Sequence, residues 1–529
     1  MVRVLVSDSL SSGGLEILET APGIEFDYRP GLSEEELASG IAVYDGLVIR
    51  SGSKVTAKVI EAASKLRVIG RAGIGVDNVD VPAASRRGIV VMNTPTGNAV
   101  TTAEHALSLL FAVARKIGQA DATMKQGSWE TKQLEGRELS GKTLGIIGLG
   151  NIGRIVADRA QGLRMHVIAF DPVVTAVRAA ELGIELVTLD ELFRRADAVT
   201  IHTPLTPETR NIVNDAAVEK MKKGVLLINA ARGGVYDEEA VLRGLQSGRV
   251  GGAGFDVFLK EPPGLTDLIR HPAVVATPHL GASTEEAQER VALEICEQVV
   301  AYLTTGTISN SVNVPSVPSE MASVLGPYTT LARRLGQFIG AVEQVNAKTI
   351  LVECGGEAAA LPIGPIVNVA LAGLLAAFLD SPVNEVNAPV LARDRGIEVR
   401  ELRTPQAGAF ASMLTITLTA SDGQQAVVGG TLGSDRSSHL VRWGSCEMDA
   451  SLAGPVLVMK NADRPGVIGT IGTILGENDI NVSRMQMGLD TRVGEAASVW
   501  SLDSALTPEA LTRIRRARDV RSAFGVVLT

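Results

Sequence analysis

Aromatic side chains are scarce in this sequence: three tryptophans, five tyrosines and ten phenylalanines make up 3% of the 529 residues. That scarcity argues against a binding surface built on aromatic anchors, and the 55 glycines favour close helix–sheet packing through small residues. Basic charge is also short. Lys and Arg number 50 against 59 Asp and Glu, a formal net charge of -9, so the chain lacks the basic footprint that a nucleic-acid partner requires. The one basic cluster, Arg513, Arg515, Arg516, Arg518 and Arg521, reads as a solvated helix face. Three scattered cysteines, Cys296, Cys354 and Cys446, support neither a disulfide framework nor a zinc centre; they imply a reducing compartment and no metal site. The opening MVRVLVSDSL alternates like a strand and is unlike a secretory signal, so a cytoplasmic location is expected. Only residues 358–379 form an uncharged run long enough to span a membrane. Two prolines, an asparagine and much alanine make it a turn followed by a buried helix, so no membrane partner is expected.

What is present is alternation. VRVLVS, GLVIRS, LRVIGRAG and IVVMNTP are β-rich runs separated by helical segments, the pattern of a parallel α/β layout. TTAEHALSLLFAVARKIG then predicts a threonine-capped helix of about five turns. A second α/β series runs through TLGIIGLG, HVIAFD, AVTIHTP, VLLINAA, GGAGFDVF and VVATPH. The Pro/Ser-rich stretch at 304–320 predicts a linker, followed by a mixed module of about 135 residues with no legible catalytic pattern. From Gly454 onward the sequence reads strand, helix, strand, strand, helix, a βαββαβ-like unit.

GLGNIG at 148–153 directly follows an apolar strand. Gly148 permits the tight turn, Gly150 lets a pyrophosphate approach the backbone, and Gly153 lets the next helix pack, while the helix N-terminus favours negative charge. Asp171 closes the following strand, where a carboxylate grips ribose hydroxyls and repels a 2′-phosphate, so NAD is expected rather than NADP. Arg232, Glu261 and His279 all fall just beyond carboxyl ends of strands in the second series. Together they supply an acid/base, a carboxylate to orient it and a guanidinium for a substrate carboxylate. Arg50 and Arg71 each follow a strand of the first series and suit a phosphate; Asn98 and the backbone around Gly73 complete a substrate site.

GLGNIG with Asp171, NAARGG, DVFLKEPP, TPHLGAST, GRAGIGVDNVD and NTPTGN resemble the D-isomer-specific 2-hydroxyacid dehydrogenases along essentially the whole chain. The resemblance implies an α/β fold class: two Rossmann-like doubly wound parallel-sheet domains, an α+β intervening domain and a C-terminal βαββαβ domain similar to ACT regulatory domains. A substrate-binding domain would comprise 1–97 and 288–314, the NAD-binding domain 98–287, the intervening domain 315–453 and the regulatory domain 454–529. Arg232, Glu261 and His279 would be catalytic. NAD would be held by Gly148, Gly150, Asn151, Ile152, Gly153, Asp171, Thr203, Pro204, Ala230, Arg232, Asp256, His279, Gly281 and Ala282. Within the family the implied substrate is 3-phospho-D-glycerate, the implied effector L-serine at Asp463 and Asn481, and the implied assembly a homotetramer. Asn151 stands where many relatives have arginine, and Asn461 where they often have a larger polar or aromatic residue. A glyoxylate or hydroxypyruvate reductase is the alternative enzyme and would not need both Arg50 and Arg71. The fold also serves as an NADH-sensing corepressor, which the acidic chain and intact catalytic set disfavour.

Overall fold

Four sheets order the chain in the computed structural model, which describes residues 1–529 except 316–318, 344, 380–381, 491 and 493. The first has five parallel strands in the spatial order Ile24–Tyr28, Val2–Val6, Gly46–Ile49, Val68–Arg71, Val90–Asn93. Strands Gly46–Ile49 and Val90–Asn93 are buried on both faces, which is why they read as continuous apolar runs rather than as alternation. One face is covered by helix Glu285–Thr305, capped by the Thr284 hydroxyl accepting from Ala287 N and ended by Gly306 at φ 75°. The fit is tight: a Cβ on Gly70 would lie 2.6 Å from Val299. Beyond that helix Ser311 bridges to Met92, so the chain leaves the first sheet, builds the second and returns.

The second sheet has seven parallel strands, ordered Val274–Ala276, Val250–Phe255, Val225–Asn229, Ala198–Ile201, Thr143–Ile147, His166–Phe170, Glu185–Leu186. Winding starts in the middle at Thr143–Ile147, proceeds two strands one way and then crosses to the other side. The glycine-rich loop therefore opens at the point of reversal, where open α/β sheets bind ligands.

The third sheet pairs Ala347–Gly356 in parallel with Glu398–Thr404 and continues antiparallel through Ser412–Ala420, Gln425–Leu432, Ser438–Trp443 and Cys446–Ser451. Helices Ser319–Val342 and Ile363–Leu375 pack against each other, where Gly336, Gly340 and Gly373 let the backbones meet. The uncharged run at 358–379 is thus largely a buried core helix, and among the described residues no helix is long and apolar enough to cross a membrane. The last sheet is antiparallel, ordered Val482–Asp490, Glu495–Leu502, Gly454–Ala462, Val520–Leu528, with helices Val467–Gly476 and Pro508–Arg516 between its strands in the expected βαββαβ order. In its arginine cluster Arg513 pairs with Glu477, Arg515 Nε donates to Ala523 O, and Arg521 faces Glu495 at 3.8 Å.

Three expectations need correction. The long helix runs Ala99–Ala114, shorter than the predicted five turns, because Lys116 at φ 52° separates it from a second helix, Ile117–Lys125. Its first turn contains Thr101 and Thr102 rather than being capped by them; the Thr102 hydroxyl donates to Asn98 O and Gly281 O. Strands Ile24–Tyr28 and Glu185–Leu186 were not anticipated, since the first is largely exposed and the second only two residues long, which leaves a weaker apolar pattern. The middle of the predicted linker, 316–318, falls outside the described residues.

Candidate active site

Three loops meet beyond the carboxyl ends of adjacent strands Val225–Asn229, Val250–Phe255 and Val274–Ala276. Gly233 lies so close to Phe258 O that a Cβ would overlap it, which brings the Arg232 loop onto the Glu261 loop. Glu261 Oε2 is 2.7 Å from His279 Nδ1, and Glu261 Oε1 accepts from Phe258 N at 3.1 Å, so the carboxylate is held at both ends. A carboxylate on Nδ1 favours the tautomer with its proton there, leaving Nε2 as the acceptor for a second proton. The imidazole remains half exposed, accessible from the cleft.

Each of the other two polar strand ends is pinned by a buried residue. Asn229 donates from Nδ2 to Arg232 O and accepts from Ala231 N, fixing the turn that contains Ala230 and carries Arg232. Asp256, 1% exposed, accepts from Leu280 N and the Thr277 hydroxyl at Oδ1 and from Gly281 N at Oδ2, fixing the turn that carries His279 and leads to Ala282. Burial opposes ionisation of Asp256, but His105, Thr277 and Leu280 outweigh it and hold its carboxyl below the ordinary carboxylate range.

Arg232 Nε donates to Asp77 of the first-sheet lobe at 2.8 Å. Gly75 permits this approach, because a Cβ there would overlap Arg232 Nη2. Arg71 lies against Gly73, whose φ of 133° and missing Cβ make room for the guanidinium; Gly73 N donates to the Thr94 hydroxyl. Burial, followed by the charges of Arg232 and Arg50, pushes Arg71 down to about 10 even with Asp77 and Asp8 nearby. Arg71 Nη1 reaches only Ala72 O, and its buried Nε has no partner. Arg50 donates to Ser9 O. Asn98 Oδ1 is buried without a partner beside the same cleft, at the start of helix Ala99–Ala114. Arg71, with its buried Nε unpartnered, and Arg50, bonded to a single carbonyl, lie near Arg232 and form a site suited to an anion.

Two glycines of the loop have a local requirement in the fold. Gly148 adopts φ 94°, a Cβ on Gly153 would overlap Gly148 O, and a Cβ on Gly150 would meet nothing within 4 Å. Asn151 and Ile152 begin helix Asn151–Gly162; the Asn151 side chain donates to Pro95 O, leaving the loop amides unobstructed. Asp171 Oδ2 accepts from Leu149 N, and Oδ1 from Val173 N and Val174 N. Burial opposes its ionisation, yet these amides lower its carboxyl below the usual range. Thr203 and Pro204 follow strand Ala198–Ile201, and the buried Thr203 hydroxyl lacks a partner. An open glycine cradle, a fixed carboxylate and unused polar atoms fit a dinucleotide.

The proposed effector residues are not adjacent within one chain. Asp463 N donates to Gly494 O, whereas Asn481 N donates to Asp503. These contacts are at opposite ends of strand Glu495–Leu502, roughly 25 Å apart at about 3.3 Å per residue. Sequence reading also missed Asp77, His105 and Asn229. Asp77 lies within GRAGIGVDNVD, but its partner is 155 residues away and no spacing signals the pair.

The profile of the D-isomer specific 2-hydroxyacid dehydrogenase NAD binding domain matches residues 107–281, and that of the D-3-phosphoglycerate dehydrogenase intervening domain matches 324–443. Over 529 residues the chain is 39% identical to a D-3-phosphoglycerate dehydrogenase of Synechocystis, covering 100% of this chain and 95% of the relative. Identity to the Methanocaldococcus jannaschii enzyme of that name is 38%, with 100% of both chains covered. Among solved structures, the TT0316 protein from Thermus thermophilus superposes with a TM-score of 0.54 at 36% identity, covering 59% of this chain and 100% of that one. A glyoxylate reductase from Paecilomyes thermophila gives 0.55 at 27% identity, covering 59% and 98%. Similarity of this extent, spanning the chain and nearly all of its relatives, shows that it belongs to the D-3-phosphoglycerate dehydrogenase family of D-isomer-specific 2-hydroxyacid dehydrogenases.

Proposed function

We propose that the chain oxidises 3-phospho-D-glycerate to 3-phosphooxypyruvate, the entry to serine biosynthesis. The observation that carries this reading is the grouping of Arg50, Arg71 and Arg232, with the Arg71 Nε unpartnered, next to the loops that carry the Glu261-paired His279. When bound, NAD supplies the hydride acceptor. His279 takes the proton of the substrate 2-hydroxyl at Nε2, and Glu261 stabilises the resulting imidazolium through Nδ1. Arg232, oriented by Asp77, binds the substrate carboxylate and polarises the developing carbonyl. Arg50 and Arg71 take the phosphate, with Asn98 and the Gly73 backbone completing the site. The backbone of Gly148–Gly153 and the N-terminus of helix Asn151–Gly162 receive the pyrophosphate, and Asp171 receives the ribose hydroxyls.

The division into a substrate lobe (1–97 and 288–314), NAD lobe (98–287), intervening module (315–453) and ACT-type regulatory module (454–529) belongs to the same reading. So do a cytoplasmic homotetramer and an L-serine site at Asp463 and Asn481 of different subunits; their separation within one chain supports a site shared across a subunit boundary. Steady-state assays with NAD and phosphoglycerate, glycerate or 2-hydroxyglutarate test the substrate. A kcat/KM for phosphoglycerate far above the others is expected; equal use of glycerate overturns the phosphate assignment.

A further inference from the structure

Besides the His279–Glu261 pair, the strand ends hold a histidine–aspartate contact that the proposed reaction does not use. His105, in the middle of helix Ala99–Ala114, directs Nε2 at Asp256 Oδ1, 3.1 Å away, and at the Thr277 hydroxyl, 3.0 Å away. The ring is largely buried and the carboxylate fully so. Asp256 receives bonds from a run of nearby residues: its side chain takes the Thr277 hydroxyl and the amides of Leu280 and Gly281, and its carbonyl takes His279 N at 2.9 Å. The segment so gripped contains His279 at φ 56°, a left-handed backbone that a non-glycine residue keeps only when its surroundings enforce it. A buried carboxylate needs compensating donors, and His105 is the side chain from a separate element that provides one. Helix Ala99–Ala114 is itself packed on helix Asn151–Gly162 and on strands Val225–Asn229 and Val250–Phe255. The ring is therefore held by packing that extends beyond the turn it supports, to which the same helix also donates through the Thr102 hydroxyl at Gly281 O.

We propose that His105 is a positioning residue: through Asp256 and Thr277 it locks the turn that presents His279 to the substrate. The proposal rests on His279 being the acid/base, but its structural part does not. With Nε2 protonated, His105 donates to Oδ1 and the Thr277 hydroxyl; without that donor, the carboxylate loses its link to the helix, and the turn, then tied to it through the Thr102–Gly281 bond, relaxes. Displacement of a reacting group by ~1 Å costs on the order of 100-fold in rate, so the effect appears in kcat more than in KM.

The test compares the full-length wild type, H105L, H105Q and T277V. Hydrogen exchange is measured in cofactor-free protein on peptides spanning 275–281, alongside steady-state kinetics with phosphoglycerate and NAD. Leucine removes the donor; glutamine restores an N–H in a similar place. H105L is expected to exchange about 10-fold or more faster in those peptides with other regions unchanged, consistent with loss of a bond to a charged group. Its kcat should fall roughly 10- to 100-fold with KM within a few-fold. T277V should resemble it, and H105Q should approach wild type in both readouts. Unchanged exchange in H105L overturns the proposal, as does H105Q behaving like H105L. Should H105L fail to fold, wild-type-like exchange in T277V overturns it instead. Failure of the wild type to oxidise phosphoglycerate would refute the functional reading while leaving the exchange comparison decisive for the turn.

Discussion

Glu261 and His279 are 18 residues apart in the chain and 2.7 Å apart in space, joined because their loops leave the sheet beside neighbouring strand ends. The contact orients the imidazole by Nδ1. H279A should lower kcat on the order of 10²–10⁴-fold with NAD binding nearly intact, the usual contribution of a positioned acid/base. E261Q, which retains an acceptor but loses the charge, should lower it less. Stopped-flow turnover and cofactor fluorescence titration separate the two effects; H279A within a few-fold of wild type would mean that another group moves the proton.

Asp171 has two tasks in the structure. Its Oδ2 holds Leu149 N inside the glycine loop, while in the proposed reading the carboxylate receives the ribose hydroxyls. D171A should therefore weaken NAD and NADP alike by loosening the loop. D171N preserves an acceptor for Leu149 and should shift the NADP/NAD ratio of kcat/KM upward through loss of charge. A ratio unchanged in D171N would remove Asp171 from cofactor discrimination.

Arg71 is held below its ordinary range, first by burial and then by Arg232 and Arg50, so its charge is a cost to the ligand-free fold. R71M should raise the thermal midpoint of the ligand-free protein and abolish stabilisation by millimolar phosphate. It should also reduce kcat/KM for phosphoglycerate roughly 10- to 150-fold relative to an unphosphorylated hydroxy acid, as expected of one charge-assisted contact. Calorimetry with and without phosphate checks the first pair of outcomes, and paired substrate kinetics the last.

Asp256 provides the pH signature. Its folded carboxyl is depressed, so its stabilisation is fully present above the unfolded value of about 3.9 and is lost as pH falls through the lower folded value. D256N should be less stable than wild type at pH 7, with the difference shrinking as pH falls below about 4. A difference that stays constant from pH 7 to 3 would show that the carboxylate charge does not contribute.

Asp463 and Asn481 lie at opposite ends of one strand, so an effector site using both must draw them from two copies. Titration calorimetry should show L-serine binding by the wild type and loss in D463A and in N481A. Unfolded and co-refolded mixtures of the two variants should recover about one-quarter of the wild-type sites if subunits pair at random. No recovery, with both single variants folded, would place the two residues in different sites.

Much of the fold was legible because its requirements are local. A parallel strand buried on both faces must be apolar throughout, and GLGNIG needs glycine for two separate local reasons, a positive φ at 148 and close contact at 153. The buried helix inside 358–379 and the βαββαβ order after Gly454 were readable on the same terms. Strands Ile24–Tyr28 and Glu185–Leu186 and the break at Lys116 were not, because none leaves a strong periodic signal.

The sequence by itself determined which residue types end up at strand ends: an imidazole, carboxylates and arginines in loops that a parallel sheet sends to one edge. Only the tertiary structure decided their partners. Asp77 with Arg232, His105 with Asp256, and Asp463 apart from Asn481 all follow from strand order and register across 155, 151 and 18 residues. The physical reason is that periodicity and spacing record the environment of one element at a time, whereas an ion pair between elements depends on where the chain crosses the sheet and returns.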